Sequence, residues 1–316
     1  MNRYIVTTTI YEPTEATLKY CDIAREKGWV LVVVGDKATP EASYRKLEAR
    51  YGDCVRYLSV EAQAERFPEV SESLGWGCIQ RRNVGFLYAY EAGAEVVATV
   101  DDDNVPYDSW GDEVFVGETI DVALYAHRRF GVFDPLSVTS EKALWHRGYP
   151  IECVPEKNDV ERLERKKRRV LVQADLWDGD PDVDAICRLS LRPEVRFEAL
   201  EVFGSPQISP FNSQNTFLSR EVMSSYAVLP GVGRMDDIWG GYILQHHFPG
   251  SVIYHAATVR QDRHDQDLVA NLEKELCGYR GTLGLLGDLG NYISHLPAAT
   301  VRFLEIYQRE YCRIGE

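Results

Sequence analysis

From residue 4 to residue 100, β-branched apolar runs alternate with stretches of helical spacing. Residues 4–10 (YIVTTTI) predict a first strand. Pro13-Thr14-Glu15 opens a helix that keeps its spacing to Lys27 and stops at Gly28, a natural residue just past a helix end. Residues 29–34 (WVLVVV) predict a second, buried strand that ends at Gly35-Asp36. A charged amphipathic helix is expected over 40–51 and a short strand over 55–59. A helix over 79–92 carries Val84, Leu87 and Tyr88 on its apolar side, and a strand follows over 95–100. Strand and helix in this rhythm predict a largely parallel sheet with helices on both faces.

The pattern loosens afterwards. A strand is expected over 122–126 and a loop over 140–155. Residues 160–169 (VERLERKKRR) are a dense charge run. It fits a solvated helix, or a basic surface facing an anionic acceptor. A strand over 170–174 leads into the carboxylate-rich stretch 175–184, interrupted by Pro181. Residues 236–248 have the spacing of a buried helix and 251–259 of a strand, and helices are expected over 268–279 and 299–311. There is no internal repeat and no low-complexity linker.

The chain has 316 residues, 45% hydrophobic, enough for a large core in one large domain or two small ones. A net charge of −14 gives no general attraction to nucleic acid or to an anionic membrane, so any anionic substrate needs locally placed positive charge. Seven cysteines, an odd number without a C-x-x-C pair, fit reduced thiols in a cytoplasmic protein. No apolar run is long enough to span a bilayer, so membrane contact is expected to be peripheral at most.

The strand over 95–100 ends in Asp101-Asp102-Asp103. In open α/β sheets ligands sit beyond the carboxyl ends of the strands. Three carboxylates there either form an acidic turn or share a divalent cation, and oxygen ligands suit Mg²⁺ or Mn²⁺ on a diphosphate-bearing substrate. Asp101 and Asp103 are the candidate metal ligands, with Asp102 bridging to a ribose or sharing the ion. Asp36 is either a turn aspartate or an acceptor for a base or ribose. Thr7 and Thr8, at the end of the first strand, either fill the strand or contact the base. Arg81, Arg82 and Asn83 open the helix before the triplet, where an arginine fork suits either a phosphate or a surface ion pair.

Arg82-Asn83-Val84-Gly85, the helix after it and the aspartate triplet resemble the R-N-x-G … D-x-D run of nucleotide-sugar glycosyltransferases with the GT-A fold. A wider resemblance is to the plant STELLO glycosyltransferase family. It is carried by residues 85–94 (GFLYAYEAGA), 34–37 (VGDK), 147–150 (RGYP), 181–184 (PDVD) and 210–216 (PFNSQNT). Residues 233–241 (GRMDDIWGG) with the triplet also resemble the reversibly glycosylated polypeptides, which include UDP-arabinopyranose mutases. The resemblance implies a GT-A-type, Rossmann-like α/β fold. Residues 1–264 would be the catalytic domain, divided into a nucleotide-binding half (1–103) and a sugar and acceptor half (104–264). Residues 265–316 would be a helical extension.

It implies further roles. Asp236 and Asp237 either cap their helix or serve a sugar or acceptor hydroxyl, with Arg234 beside them as partner to a phosphate or to Asp237. Asp182, Asp184, Asn212 and Asn215 are expected to contact the sugar or acceptor. Trp239 is either helix core or a wall for the sugar ring. A third metal ligand from a late segment would be His255 or His264, with His264 the candidate, while Arg260 stands where the STELLO pattern has a histidine and would be a phosphate contact instead. The expected activity is metal-dependent transfer from a nucleotide sugar, UDP-linked, to a glycan, lipid-linked or small-molecule acceptor. The alternatives are a UDP-sugar pyranose/furanose mutase and a nucleotide-sugar-binding protein without catalysis.

Overall fold

The structure is a computed structural model that describes residues 2–263 and 266–315. In chain order it contains β1 (Arg3–Thr9), α1 (Glu15–Lys27), β2 (Trp29–Gly35), α2 (Glu41–Tyr51), β3 (Val55–Leu58), α3 (Val60–Arg66), α4 (Pro68–Leu74), α5 (Arg82–Glu91), β4 (Val96–Val100), β5 (Asn104–Pro106), β6 (Thr119–His127), β7 (Val160–Arg169), β8 (Val172–Gly179), α6 (Ala185–Leu191), β9 (Phe203–Gly204), β10 (Asn215–Ser219), α7 (Asp236–His247), β11 (Val252–Gln261), α8 (Leu268–Gly287) and α9 (Ala298–Gly315). The strands form one sheet in the order β3-β2-β1-β4-β10-β8-β11-β9-β6-β7, with β5 paired to β11. The first four in that order run parallel. β10 then enters antiparallel to both β4 and β8, while β11 is parallel to β8. This is the α/β class the sequence predicts, with its regular parallel part in the N-terminal half.

Side chains alternate across a strand, and the parallel part of the sheet is buried on both faces. Ile5, Leu31, Val33 and Val55 belong to one cluster with Tyr20 of α1 and Tyr44 of α2. Val6, Val32 and Val34 belong to the other, with α5, α7 and α9. That is why residues 29–34 are apolar without interruption. Helix α1 is capped by the Thr14 side chain and ends at Gly28, whose φ of 71° is the left-handed conformation a glycine tolerates. Helix α5 lies close on β1 and β2, because a Cβ on Gly85 would stand 2.4 Å from Val6 Cγ1 and 2.8 Å from Val34 Cγ2.

Three expectations change. Residues 160–169 form no helix but the edge strand β7, paired antiparallel to β6. Sheet pairing overrides the helical preference of Lys, Arg and Glu, and the charges protect an exposed edge from further pairing. The strand expected over 170–174 is β8 and runs on to Gly179, into the carboxylate-rich stretch. Helix α8 runs past residue 279 to Gly287. The C-terminal helices pack into the main core, where Leu285, Leu289, Phe303 and Tyr307 are buried together with α5 and α7 residues. Among the described residues no helix is long and apolar enough to cross a membrane, and all seven cysteines are free.

The contact of Gly85 with two stiff β-branched side chains leaves no room for a methyl group. Gly85→Ala is expected to cost about 1–3 kcal/mol through overpacking, read as a lower urea midpoint with an unchanged slope. An unchanged midpoint would mean that the helix can lift off the sheet without penalty.

Candidate functional site

The carboxyl ends of β1, β2 and β4 meet at one edge of the sheet, and the aspartate triplet leaves β4 there. Asp101 Oδ1 accepts from Arg82 Nη2 at 2.5 Å, and Arg82 Nη1 donates to Ser213 O at 2.7 Å and Ser213 Oγ at 2.8 Å. Arg82 is buried, so this ion pair is fixed on its cationic side. The Asp102 carbonyl accepts from Thr14 Oγ1, and the Asp103 carbonyl from Asp262 N just beyond β11. Asp103 Oδ1 is buried and has no hydrogen-bond partner. Burial, and then the charge of Asp101, push the Asp103 carboxyl up to about 7, with Arg263 opposing.

On one side of the triplet lies a cavity of about 210 Å³, bordered by Thr8, Asp36, Gly77, Ile79 and Asp102. Thr8 faces it, whereas Thr7 is buried on the opposite face of β1. Asp36 holds the far wall in shape, since its Oδ2 accepts from Gly77 N at 2.8 Å and its Oδ1 from Lys37 N at 2.6 Å. Arg81 departs from the expected phosphate role. Its guanidinium is buried, bonds Gln63 Oε1 through Nε at 3.0 Å and lies 3.8 Å over the Trp76 ring. Burial lowers it to about 10. It stiffens the wall of this cavity.

On the other side is a smaller cavity of about 120 Å³, bordered by Asp101, Asp182, Arg234, Asp236 and Arg263, and again by Ile79. Its centre is Arg147, to which the sequence reading gave no role. Arg147 Nε and Nη2 donate to Asp182 at 2.9 Å each, Nη1 and Nη2 donate to Asp237 at 2.9 and 3.2 Å, and Nη1 also donates to the Arg234 carbonyl. Burial disfavours this guanidinium, but the two aspartates outweigh it and hold it charged. In return Arg147 overcomes the upward push of burial and keeps Asp182 and Asp237 below the usual carboxylate range. Asp237 also accepts from Ser213 N at 2.8 Å, and Asn212 Nδ2 donates to Asp182 at 3.0 Å. Asp236 is different. Its nearest Arg147 contact is 4.0 Å, its Oδ2 accepts from Gln80 Nε2 at 2.8 Å, and burial with the neighbouring Asp237 charge pushes it up to about 7. Arg234 donates through Nε to Glu275 at 2.8 Å.

Several expected contacts are spent elsewhere. Asp184 caps α6, accepting from Cys187 N at 2.8 Å and from Trp145 Nε1 at 2.5 Å. Asn215 accepts from Trp110 Nε1 and donates to Leu176 O and Thr258 Oγ1, each at 3.0 Å, inside the sheet. Asn83 ties α5 to Val228 through both its amide groups. Trp239 is buried and bonds Thr282 of α8 at 3.0 Å, so it is core. Arg260 is exposed and pairs with Asp262 at 3.1 Å. His264 lies outside the described residues. Among the described residues no group of three His, Cys, Asp or Glu is placed to hold a metal ion. The signal for Arg147 lay in the stretch 147–150, where Gly148 at φ 80° lets the loop pack against Ile238 of α7.

No protein-family model matches the chain. It is 27% identical over 268 residues to the probable glycosyltransferases STELLO1 and STELLO2 of Arabidopsis thaliana, covering 76% of this chain and 32% of theirs. The chain therefore spans about a third of the length of the curated relatives it matches. Among solved structures it is similar to Mycobacterium tuberculosis glucosyl-3-phosphoglycerate synthase in complex with Mn²⁺, UDP and phosphoglyceric acid. The identity is 13% and the TM-score 0.46, over 91% of this chain and 78% of that one. It is also similar to S. aureus TarS 1–349 in complex with UDP-GlcNAc, at 12% identity and TM-score 0.47 over 100% and 93%.

Asp236 makes stability depend on pH. Its carboxyl rises from an ordinary value of 3.8 to about 7 on folding, so between those values the folded chain keeps a proton that the unfolded chain releases. This contribution is complete below about pH 4 and is lost as pH rises toward about 7. Asp236→Asn removes it, so the melting temperature of the variant is expected to fall less than that of the parent over this window. Parallel curves would show that Asp236 does not carry the raised proton.

Proposed function

We propose that this chain is the catalytic unit of a GT-A-type glycosyltransferase that uses a nucleotide-sugar donor, UDP-linked. One observation carries this reading: two cavities meet across the aspartate triplet, with Ile79 bordering both, Asp102 bordering the larger and Asp101 the smaller. A nucleoside fits the larger cavity beside Thr8 and Asp36, a sugar fits the smaller polar one, and the diphosphate between them crosses the acids. The similarity to the STELLO glycosyltransferases supports the same reading.

Carboxylates at a diphosphate need a cation. Asp101 and Asp103 would hold Mn²⁺ or Mg²⁺, and the buried, partnerless Asp103 Oδ1 fits such an ion. When bound, the ion supplies positive charge that offsets the charge developing on the departing nucleotide. The remaining chemistry belongs to side chains. Asp236, with its proton balanced near neutral pH, takes the proton from the acceptor hydroxyl. Arg147 fixes Asp182 and Asp237 so that the cavity wall keeps its shape, and Arg234 and Arg263 offset the carboxylates around it. The acceptor is a hydroxyl of a glycan, lipid-linked or small-molecule substrate, and the free thiols accord with a cytoplasmic setting.

Calorimetric titration with UDP is expected to show binding that needs Mn²⁺, is removed by a chelator and weakens at least about ten-fold in Asp103→Ala, or about 1.4 kcal/mol. Asp236→Asn is expected to bind UDP normally and to lose about 10²–10⁴-fold in turnover. UDP binding indifferent to both chelator and Asp103→Ala would overturn the metal role. Conversion of a UDP-pyranose to its furanose without any acceptor would replace transfer with a mutase reaction.

A further inference from the structure

Most arginines around the triplet are already engaged. Arg82 is bound to Asp101 and Ser213, Arg81 to Gln63, and Arg147 to Asp182 and Asp237. Arg260 is exposed and pairs with Asp262, and Arg234 donates through Nε to Glu275. Arg263 is different. It borders the smaller cavity together with Asp101 and Asp236. Its side chain is 9% exposed, and its Nε and Nη2 are buried without a hydrogen-bond partner.

The carboxylates nearest to Arg263 are committed to other arginines. Asp180 Oδ2 lies 3.4 Å from Nε and Asp182 Oδ1 lies 3.6 Å from Nη2, ion-pair distances without a hydrogen bond. Asp182 accepts from Arg147 and Asn212, and Asp180 accepts from Arg188. Burial lowers the Arg263 guanidinium from its ordinary range, the charge of Asp182 opposes this, and the charge of Arg188 lowers it further. A buried guanidinium with open donors gains more from an oxyanion than from a hydroxyl, because an oxyanion answers both the charge and the N–H groups. The backbone here is also tied to the triplet. Arg263 is the second residue after β11. Gln261 of that strand pairs with Asn104, and Asp262 N donates to the Asp103 carbonyl at 3.1 Å.

We propose that Arg263 binds the sugar-bearing phosphate of the nucleotide-sugar donor. The role rests on the chain using such a donor. With the nucleoside in the larger cavity and the diphosphate across the acids, the phosphate that carries the sugar enters the smaller cavity, which Arg263 borders. Arg263 supplies the cationic fork there, since Arg81 and Arg82 are bound within the protein. The phosphate next to the nucleoside stays on the side of the larger cavity, away from this guanidinium.

UMP lacks the sugar-bearing phosphate, so it separates this role from a general effect on the site. In calorimetric titrations of the full chain with Mn²⁺, Arg263→Gln is expected to weaken UDP about ten-fold or more and to change UMP by less than about two-fold. Arg263→Lys keeps the charge without the fork and is expected to fall between the parent and Arg263→Gln for UDP. Asp180 and Asp182 keep Arg188 and Arg147 in these variants, so the circular dichroism spectrum is expected to stay unchanged. A parent that binds UDP while Arg263→Gln leaves UDP unchanged, or weakens UDP and UMP equally, overturns the role of Arg263 alone. A parent that does not bind UDP overturns both this role and the donor it rests on. Methyl phosphate that binds the UDP-saturated parent but not UDP-saturated Arg263→Gln would place the anion on an acceptor and overturn the assignment to the donor.

Discussion

Arg147 joins stretches of chain that are far apart in sequence. Its guanidinium bonds Asp182, just after β8, and Asp237, at the start of α7, and reaches the Arg234 carbonyl before that helix. The whole cluster is buried. A buried ion pair is a weak source of net stability, because desolvation consumes most of the Coulombic gain. Its effect is geometric. With Arg147 removed, Asp237 would lose its ion-pair partner in a low-dielectric interior and Asp182 would keep only Arg263 at 3.6 Å, so segments that carry them can adopt few arrangements other than this one. Ser213 extends the same network to the triplet, since it serves both Asp237 and Arg82, and Arg82 holds Asp101.

This network explains why neighbouring carboxylates behave differently. Asp237 and Asp236 are adjacent on one helix turn and both are buried. Asp237 lies on Arg147 and stays ionised. Asp236 lies 4.0 Å from the same arginine, feels the charge of Asp237 and holds its proton to about 7. The triplet repeats the contrast, with Asp101 neutralised by Arg82 while Asp103 is left buried beside it. Each pair sets a carboxylate in direct contact with an arginine beside one that burial and its neighbour's charge push up to about 7.

The same residues illustrate the cost of reading a polar side chain as a ligand contact. Asn83, Asn215, Asp184 and Trp239 are all polar-capable groups, yet each is spent on the protein's own backbone or side chains. A large sheet whose strands change direction at β10 leaves backbone groups and indole N–H groups that must be satisfied inside the core, and these residues satisfy them.

The N-terminal half was legible because its elements obey local rules. Apolar runs such as 29–34 mark strands buried on both faces, Gly28 marks a helix end, and three aspartates after β4 mark an acidic edge of a parallel sheet. None of this depends on distant residues. The charge run at 160–169 was not legible, since its helical composition was overruled by pairing with β6 across more than thirty residues of intervening chain. Nor were the roles of Arg147 and Asp236. The sequence by itself determined the fold class and the acidic edge, because periodicity and strand ends are local properties. Only the tertiary structure decided which carboxylates are neutralised and which stay protonated, because that depends on burial and on the distance to an arginine some ninety residues away in the chain.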